Sequence, residues 1–95
     1  MRILQNEVIA IKQAFQKYFD NGRIFLFGSR VDDTEKGGDI DLYLEVENND
    51  RNREKKLEFL VEVKKSIGDQ KIDVVMSSER NRLIDQEVKT NGIQL

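Results

Sequence analysis

Phe25-Leu26-Phe27-Gly28-Ser29-Arg30 is followed, after a nine-residue spacer from Arg30 to Gly38, by Asp39-Ile40-Asp41-Leu42-Tyr43-Leu44. An apolar run ends in a Gly-Ser turn, and a second run opens with two aspartates one residue apart. Successive side chains of a strand point to opposite faces, so residues i and i+2 share a face. Asp39, Asp41, Tyr43 and Glu45 therefore point one way, and Ile40, Leu42, Leu44 and Val46 the other. Two carboxylates roughly 7 Å apart on one strand face can hold a hard cation between them. A small turn just upstream can offer backbone N–H groups to a phosphate. Phosphate plus magnesium is the chemistry this pairing suggests.

The composition narrows the choices. A chain of 95 residues reads as one domain, 1–95, able to fold alone with little margin and little room for a second lobe. Its 16 basic and 18 acidic residues give a net charge of −2, which makes no strong case for a nucleic-acid or membrane surface, although a total can conceal a local basic patch. With no cysteine, neither a disulfide framework nor a thiolate metal site is available. With no histidine, the commonest zinc ligand and the commonest general base are missing. Any metal must be held by oxygen, and acid–base work falls to Asp, Glu, Lys or Tyr. No apolar run reaches membrane-spanning length and the start lacks the apolar core of a signal peptide, so the expected location is cytoplasmic.

Outward from the central stretch, Leu4, Val8, Ile11, Phe15 and Tyr18 form one helical stripe over 3–19, closed by Asp20-Asn21-Gly22. Ile24 to Phe27 has strand length. Asp39 to Val46 alternates and reads as a second strand. Residues 53–67 read as a charged helix with Leu57, Leu60, Val61, Lys64 (by its stem) and Ile67 towards the core, the stripe widened by Phe59 and Val63. Lys71 to Met76 is a third strand. Ser77-Ser78-Glu79 can cap a last helix over about 80–90, and Ile93-Gln94-Leu95 is a tail that packs or pairs. The order is α-β-β-α-β-α. Layer packing makes this a small α+β (or α/β) protein, with a mixed sheet of three to four strands and helices on one face.

A third carboxylate, Asp73, stands inside the apolar run Ile72-Asp73-Val74-Val75. A buried ionised carboxylate is costly unless it is paired or ligates a metal. If the second and third strands are neighbours, Asp73 lies beside Asp39 and Asp41. Two unit charges about 5 Å apart repel by roughly 3 kcal/mol at an effective dielectric near 20. Three such groups would take up protons or destabilise the fold unless a divalent cation neutralises them. Oxygen-only ligands point to magnesium or manganese.

Gly28-Ser29, the nine-residue spacer, Asp39-Ile40-Asp41 and a later single Asp73 together resemble the nucleotidyltransferase superfamily of the polymerase-β type. Gly28-Ser29-Arg30, Gly38-Asp39-Ile40-Asp41-Leu42, the small size and the ending Gly92-Ile93-Gln94-Leu95 look most like its minimal nucleotidyltransferases. These are the MNT-domain, MntA-like proteins commonly encoded beside a HEPN-domain protein. The resemblance covers nearly the whole chain. It implies that Gly28 and Ser29 hold the triphosphate of a bound nucleotide, with Arg30 a weaker candidate beside them. It implies that Asp39 and Asp41 ligate two Mg2+ ions, and that Asp73 ligates the metal beside the attacking hydroxyl and helps as its base. In such families the MNT protein is an antitoxin that transfers AMP from ATP to a tyrosine of the HEPN ribonuclease toxin. The implied partners are the toxin, in a hetero-oligomer, and a nucleoside triphosphate, with no membrane and no direct nucleic-acid contact.

Plainer readings stand beside these. Gly28-Ser29 alone describes an ordinary turn, and Asp39 alone a strand entry. Asp73 has possible ion-pair partners in Arg23, Lys71 and Arg80, and Arg30 has one in Asp32. Tyr43 shares the acidic face and suits either a nucleotide or packing. The run from Arg51 to Lys56 reads as a solvated helix start or a basic patch. At the level of the whole protein, the alternatives are a non-catalytic antitoxin or binding module that neutralises a partner by complex formation, and a small-molecule nucleotidyltransferase.

Overall fold

The computed structural model describes residues 3–19, 21–31, 39–46, 52–68, 70–77 and 82–95. In chain order the elements are α1 (Gln5–Tyr18), β1 (Arg23–Phe27), a 3-10 turn (Gly28–Val31), β2 (Ile40–Glu45), α2 (Arg53–Ile67), β3 (Ile72–Met76), α3 (Arg82–Asn91) and β4 (Ile93–Gln94). The tail therefore pairs: Ile93 and Gln94 lie against Leu26 and Phe25. The expected loop segments 32–38 and 47–51, with Asp32, and the helix entry around Ser78, Glu79 and Arg80 lie outside the described residues.

The sheet has the order β3-β2-β1-β4. β2 runs antiparallel to β1, Leu26 opposite Leu42, and parallel to β3, Leu42 opposite Val74. A parallel pair needs a crossover, and α2 lies in that connection. Alternation in all three strands sends Ile24, Leu26, Ile40, Leu42, Leu44, Ile72, Val74 and Met76 to one face. There they pack on Ile11, Ala14 and Phe15 of α1, on Phe19, and on Phe59 and Val63 of α2. Phe15, Phe19 and Phe59 meet with ring centroids 5.2 to 6.4 Å apart, a geometry that adds to their burial.

The expected fold class stands, with one addition. α1 and α2 cover one face of the sheet, whereas Val88 of α3 packs with Phe27 and Tyr43 on the other. Those two rings are too large and apolar to leave in water, and α3 is the element that covers them. Gly92 makes this possible, because a Cβ there would collide with the backbone of Val88. Its N–H donates to the Val88 carbonyl at 2.9 Å as the chain turns from helix into β4.

The α2 stripe is rotated from the sequence-based expectation, while the α1 stripe holds at Ile11, Phe15 and Tyr18 and loses its first member. In α1, Leu4 is exposed and Glu7 is buried. Leu4 is the N-cap residue and has no side chain that can cap. Glu7, three residues on, accepts the Leu4 N–H at 3.0 Å and the side-chain amide of Gln70, so its burial is compensated. In α2, Phe59 and Val63 are fully buried, while Leu57 and Val61 are about half exposed at 50% and 53%. The larger ring sets the inward face and leaves the smaller aliphatics at its margin. Asn52 caps α2 by accepting the Lys55 N–H at 2.7 Å. Lys17 of α1 and Glu62 of α2 pair at 3.0 Å. The hydrogen bond and charge of Glu62 raise the Lys17 pKa above the usual lysine value.

The rotated register makes a direct test. Phe59→Ala should lower unfolding free energy by about 3–5 kcal/mol, whereas Leu57→Ala should change it by about 1 kcal/mol or less. Urea titration of the two variants checks this, and comparable losses would place the inward face at Leu57 and Val61 instead.

Candidate active site

The acidic residues occupy the face opposite the main core. Asp41 of β2 and Asp73 of β3 are register partners. Partners on neighbouring strands share a face and stand about 4.8 Å apart in backbone. Asp39, two residues before Asp41, joins that face just before β2 begins. Its neighbour Ile40 donates its N–H to the Lys71 carbonyl at 3.1 Å, so the pairing of β2 with β3 already starts there. All three aspartates thus come to one end of one face, as the sequence reading expected.

Burial differs from that reading. Asp39 and Asp41 are half-buried, but Asp73 is exposed, so the penalty for an ionised carboxylate in an apolar interior does not apply to it. At water-like dielectric two charges about 5 Å apart repel by only about 1 kcal/mol, which the fold tolerates. Asp73 has no ion pair among the described residues. Of its three possible partners, Arg23 pairs with Glu45, its guanidinium Nε donating at 2.8 Å, and Lys71 pairs with Asp39 at 3.5 Å. Arg80 lies outside the described residues.

The turn after β1 closes the site from the other side. Phe27 is the register partner of Asp41, and Gly28 follows it with φ of 77°. A Cβ at Gly28 would run into the Asp41 carboxylate at Oδ2. Glycine is therefore required twice, for its left-handed backbone and for the close approach of the carboxylate. The turn continues through Ser29 and Arg30, with Arg30 half-buried. Tyr43 is 6% exposed and packs edge-on against Phe25 at 6.2 Å. Of its two readings, packing is the one observed.

Among the described residues, no three His, Cys, Asp or Glu side chains form a ready-made ion cluster. The donor set still suits a hard divalent cation: it is all carboxylate oxygen, two of its members are register partners, and the third is two residues away on the same face. The hollow of about 330 Å³ beside Phe15, Phe19, Ile24 and Leu95 lies on the α1 side of β1, away from the carboxylates. Lys71 is the residue that sequence reasoning undervalued. The sequence suggests it only as a partner for Asp73. Its position two residues before Asp73 matches that of Asp39 before Asp41, but that match carries meaning only once the β2–β3 register is known.

This sheet, with paired acidic strands beside a glycine turn, is a nucleotidyltransferase architecture. The family model described as "Polymerase beta, Nucleotidyltransferase" matches residues 10–95, and the chain belongs to that family. No curated protein sequence matches it. Among solved structures, it is similar to a chain of the MntA–HpeT toxin–antitoxin, crystallised as a double aspartate-to-glutamate mutant. The TM-score is 0.74 at 18% identity, covering 97% of this chain and 71% of that one. It is also similar to a chain of the tri-AMPylated Shewanella oneidensis HEPN toxin in complex with MNT antitoxin. There the TM-score is 0.70 at 22% identity, covering 94% and 67% of the two chains. At these identities the likeness is one of fold. No described helix is long and apolar enough to cross a membrane.

The close approach at Gly28 yields an expected outcome. Gly28→Ala should lower stability by about 1–3 kcal/mol, read by urea unfolding. An unchanged midpoint would mean that the turn and the Asp41 carboxylate are not in contact.

Proposed function

We propose that this protein is a Mg2+-dependent nucleotidyltransferase that moves AMP from ATP to a hydroxyl, a tyrosine of a HEPN-domain toxin, and so acts as the antitoxin of the pair. The observation that carries the reading is the placement of Asp41 beside Asp73 on one sheet face, with the Gly28 backbone packed against the Asp41 carboxylate. It occurs in a chain of the nucleotidyltransferase family. Support for a HEPN partner comes from the two toxin–antitoxin structures with this fold, one of which holds an AMPylated toxin.

Each residue has a task. Asp39, Asp41 and Asp73 hold two metal ions. When bound, these ions supply charge neutralisation for the attacking and leaving oxygens of an in-line displacement. The turn at Gly28 and Ser29 receives the triphosphate on its backbone N–H groups, and Arg30 adds positive charge beside it. Asp73, the most open of the three carboxylates, takes the proton of the incoming hydroxyl. The hydroxyl oxygen bonds to the α-phosphorus, the bond to the β-phosphate oxygen breaks, and pyrophosphate leaves. Phosphoryl-type transfer asks mainly for positioning and charge neutralisation, which suits a site with no histidine or cysteine. A cytoplasmic setting, with toxin and ATP both at hand, completes the proposal.

The test is incubation of the protein with its genomic neighbour, ATP and Mg2+, followed by intact mass measurement. The expected result is a gain of whole AMP units on the partner. Asp41→Asn should reduce the rate at least about 100-fold, the scale of losing a principal electrostatic contact to the developing charge, with no loss of thermal stability. Chelation by EDTA should stop labelling, and added Mg2+ should restore it. A partner left unmodified but bound equally well by wild type and Asp41→Asn would replace the enzyme with a non-catalytic antitoxin. Modification of a small molecule alone would redirect the reading to that class of transferase.

A further inference from the structure

Lys71 places its ammonium against the acidic triad. Its backbone is tied to the mouth of the site, because its carbonyl accepts the Ile40 N–H at 3.1 Å. Its ammonium lies 3.5 Å from Asp39 Oδ2, with side-chain exposures of 77% for Lys71 and 36% for Asp39. β3 begins one residue later and carries Asp73 on the same face as Asp41. Asp39 is thus engaged by a lysine just ahead of the neighbouring strand, and the three carboxylates do not form a ready-made ion cluster.

We propose that Lys71 is a built-in counter-ion of the site, which competes with a divalent cation for Asp39 and weakens that cation's binding. This inference rests on the metal-binding role proposed for the three aspartates. The physical ground is competition for the charge of one carboxylate. An ammonium and a divalent ion each satisfy the charge of Asp39, and a cation coordinated by Asp39 Oδ2 repels an ammonium at contact distance. The lysine lowers the repulsion among the carboxylates in the metal-free protein and so weakens metal affinity. Because the pair is largely exposed, its effect is small and screened by salt. Lys71 acts through Asp39 and is a positioning residue.

The experiment is Mn2+ binding to the intact protein, followed by electron paramagnetic resonance of the free ion at low ionic strength, with no nucleotide present. Lys71→Met should bind Mn2+ up to about five-fold more tightly than wild type. Lys71→Arg should stay near wild type because it keeps the charge. The gap between Lys71→Met and wild type should close as NaCl is raised to about 1 M. A purely structural lysine would give none of this pattern. Asp39→Asn/Asp41→Asn is the control for the site. If wild type binds Mn2+, the control does not, and Lys71→Met matches wild type or binds more weakly, the counter-ion role is overturned while the metal site stands. If neither wild type nor Lys71→Met binds Mn2+, both readings fall. Tighter binding by Lys71→Met that is abolished by the two asparagines supports both.

Discussion

β2 is hydrogen-bonded on both flanks, antiparallel to β1 and parallel to β3, and its register constrains everything else. Ile40, Leu42 and Leu44 are each fully buried. A slip of one residue would bring their three side chains to the opposite face and drive Asp41 into the core. Each of those aliphatic side chains is worth roughly 1.5–3 kcal/mol on burial, so the three together outweigh the repulsion of about 1 kcal/mol between Asp41 and Asp73. The core therefore decides where the carboxylates stand, and their mutual dislike is too weak to move them.

The two faces of the sheet divide the work. The α1–α2 side carries nearly all of the apolar burial and the aromatic trio of Phe15, Phe19 and Phe59. The other side has a small cluster of Phe27, Tyr43 and Val88, next to the end where Asp39, Asp41, Asp73, Lys71 and the Gly28 turn meet. Stability on one face leaves the other free to hold like charges that a core could not accept.

Much of this was legible in the residues. Alternation in Asp39 to Val46 assigned every β2 side chain to its face, and the breaks at Gly22 and Gly28 bounded their elements. The stripes of α1 and α2 were less legible. Leu4 and Leu57 fit helical periodicity as well as Glu7 and Phe59 do, and only three-dimensional packing separates them. Glu7 is inward because a leucine N-cap leaves its own N–H to be satisfied from three residues on. No hydropathy pattern encodes that. Nor does periodicity say that α3 takes the far face, since that depends on Phe27 and Tyr43 needing cover. At the site, the three aspartates and Gly28 were found from spacing and resemblance. The exposure of Asp73 and the Lys71–Asp39 pair were not, because both follow from how β2 and β3 align.

The way α3 is attached has its own consequence. Val88 of α3 packs on the sheet, and the chain then forms the two-residue edge strand β4, paired with β1 at Ile93 and Gln94 and held further by the Leu95 N–H on the Ile24 carbonyl at 2.9 Å. A two-residue edge strand paired on one side opens at a lower free energy than a strand paired on both. β2, between two partners and under two helices, opens only with global unfolding. Amide exchange should therefore divide the protein into a slow central sheet and a fast final hairpin of helix and strand. Asp41 sits in the slow part, so the aspartate it carries keeps its place while the ring cluster beside it is transiently uncovered.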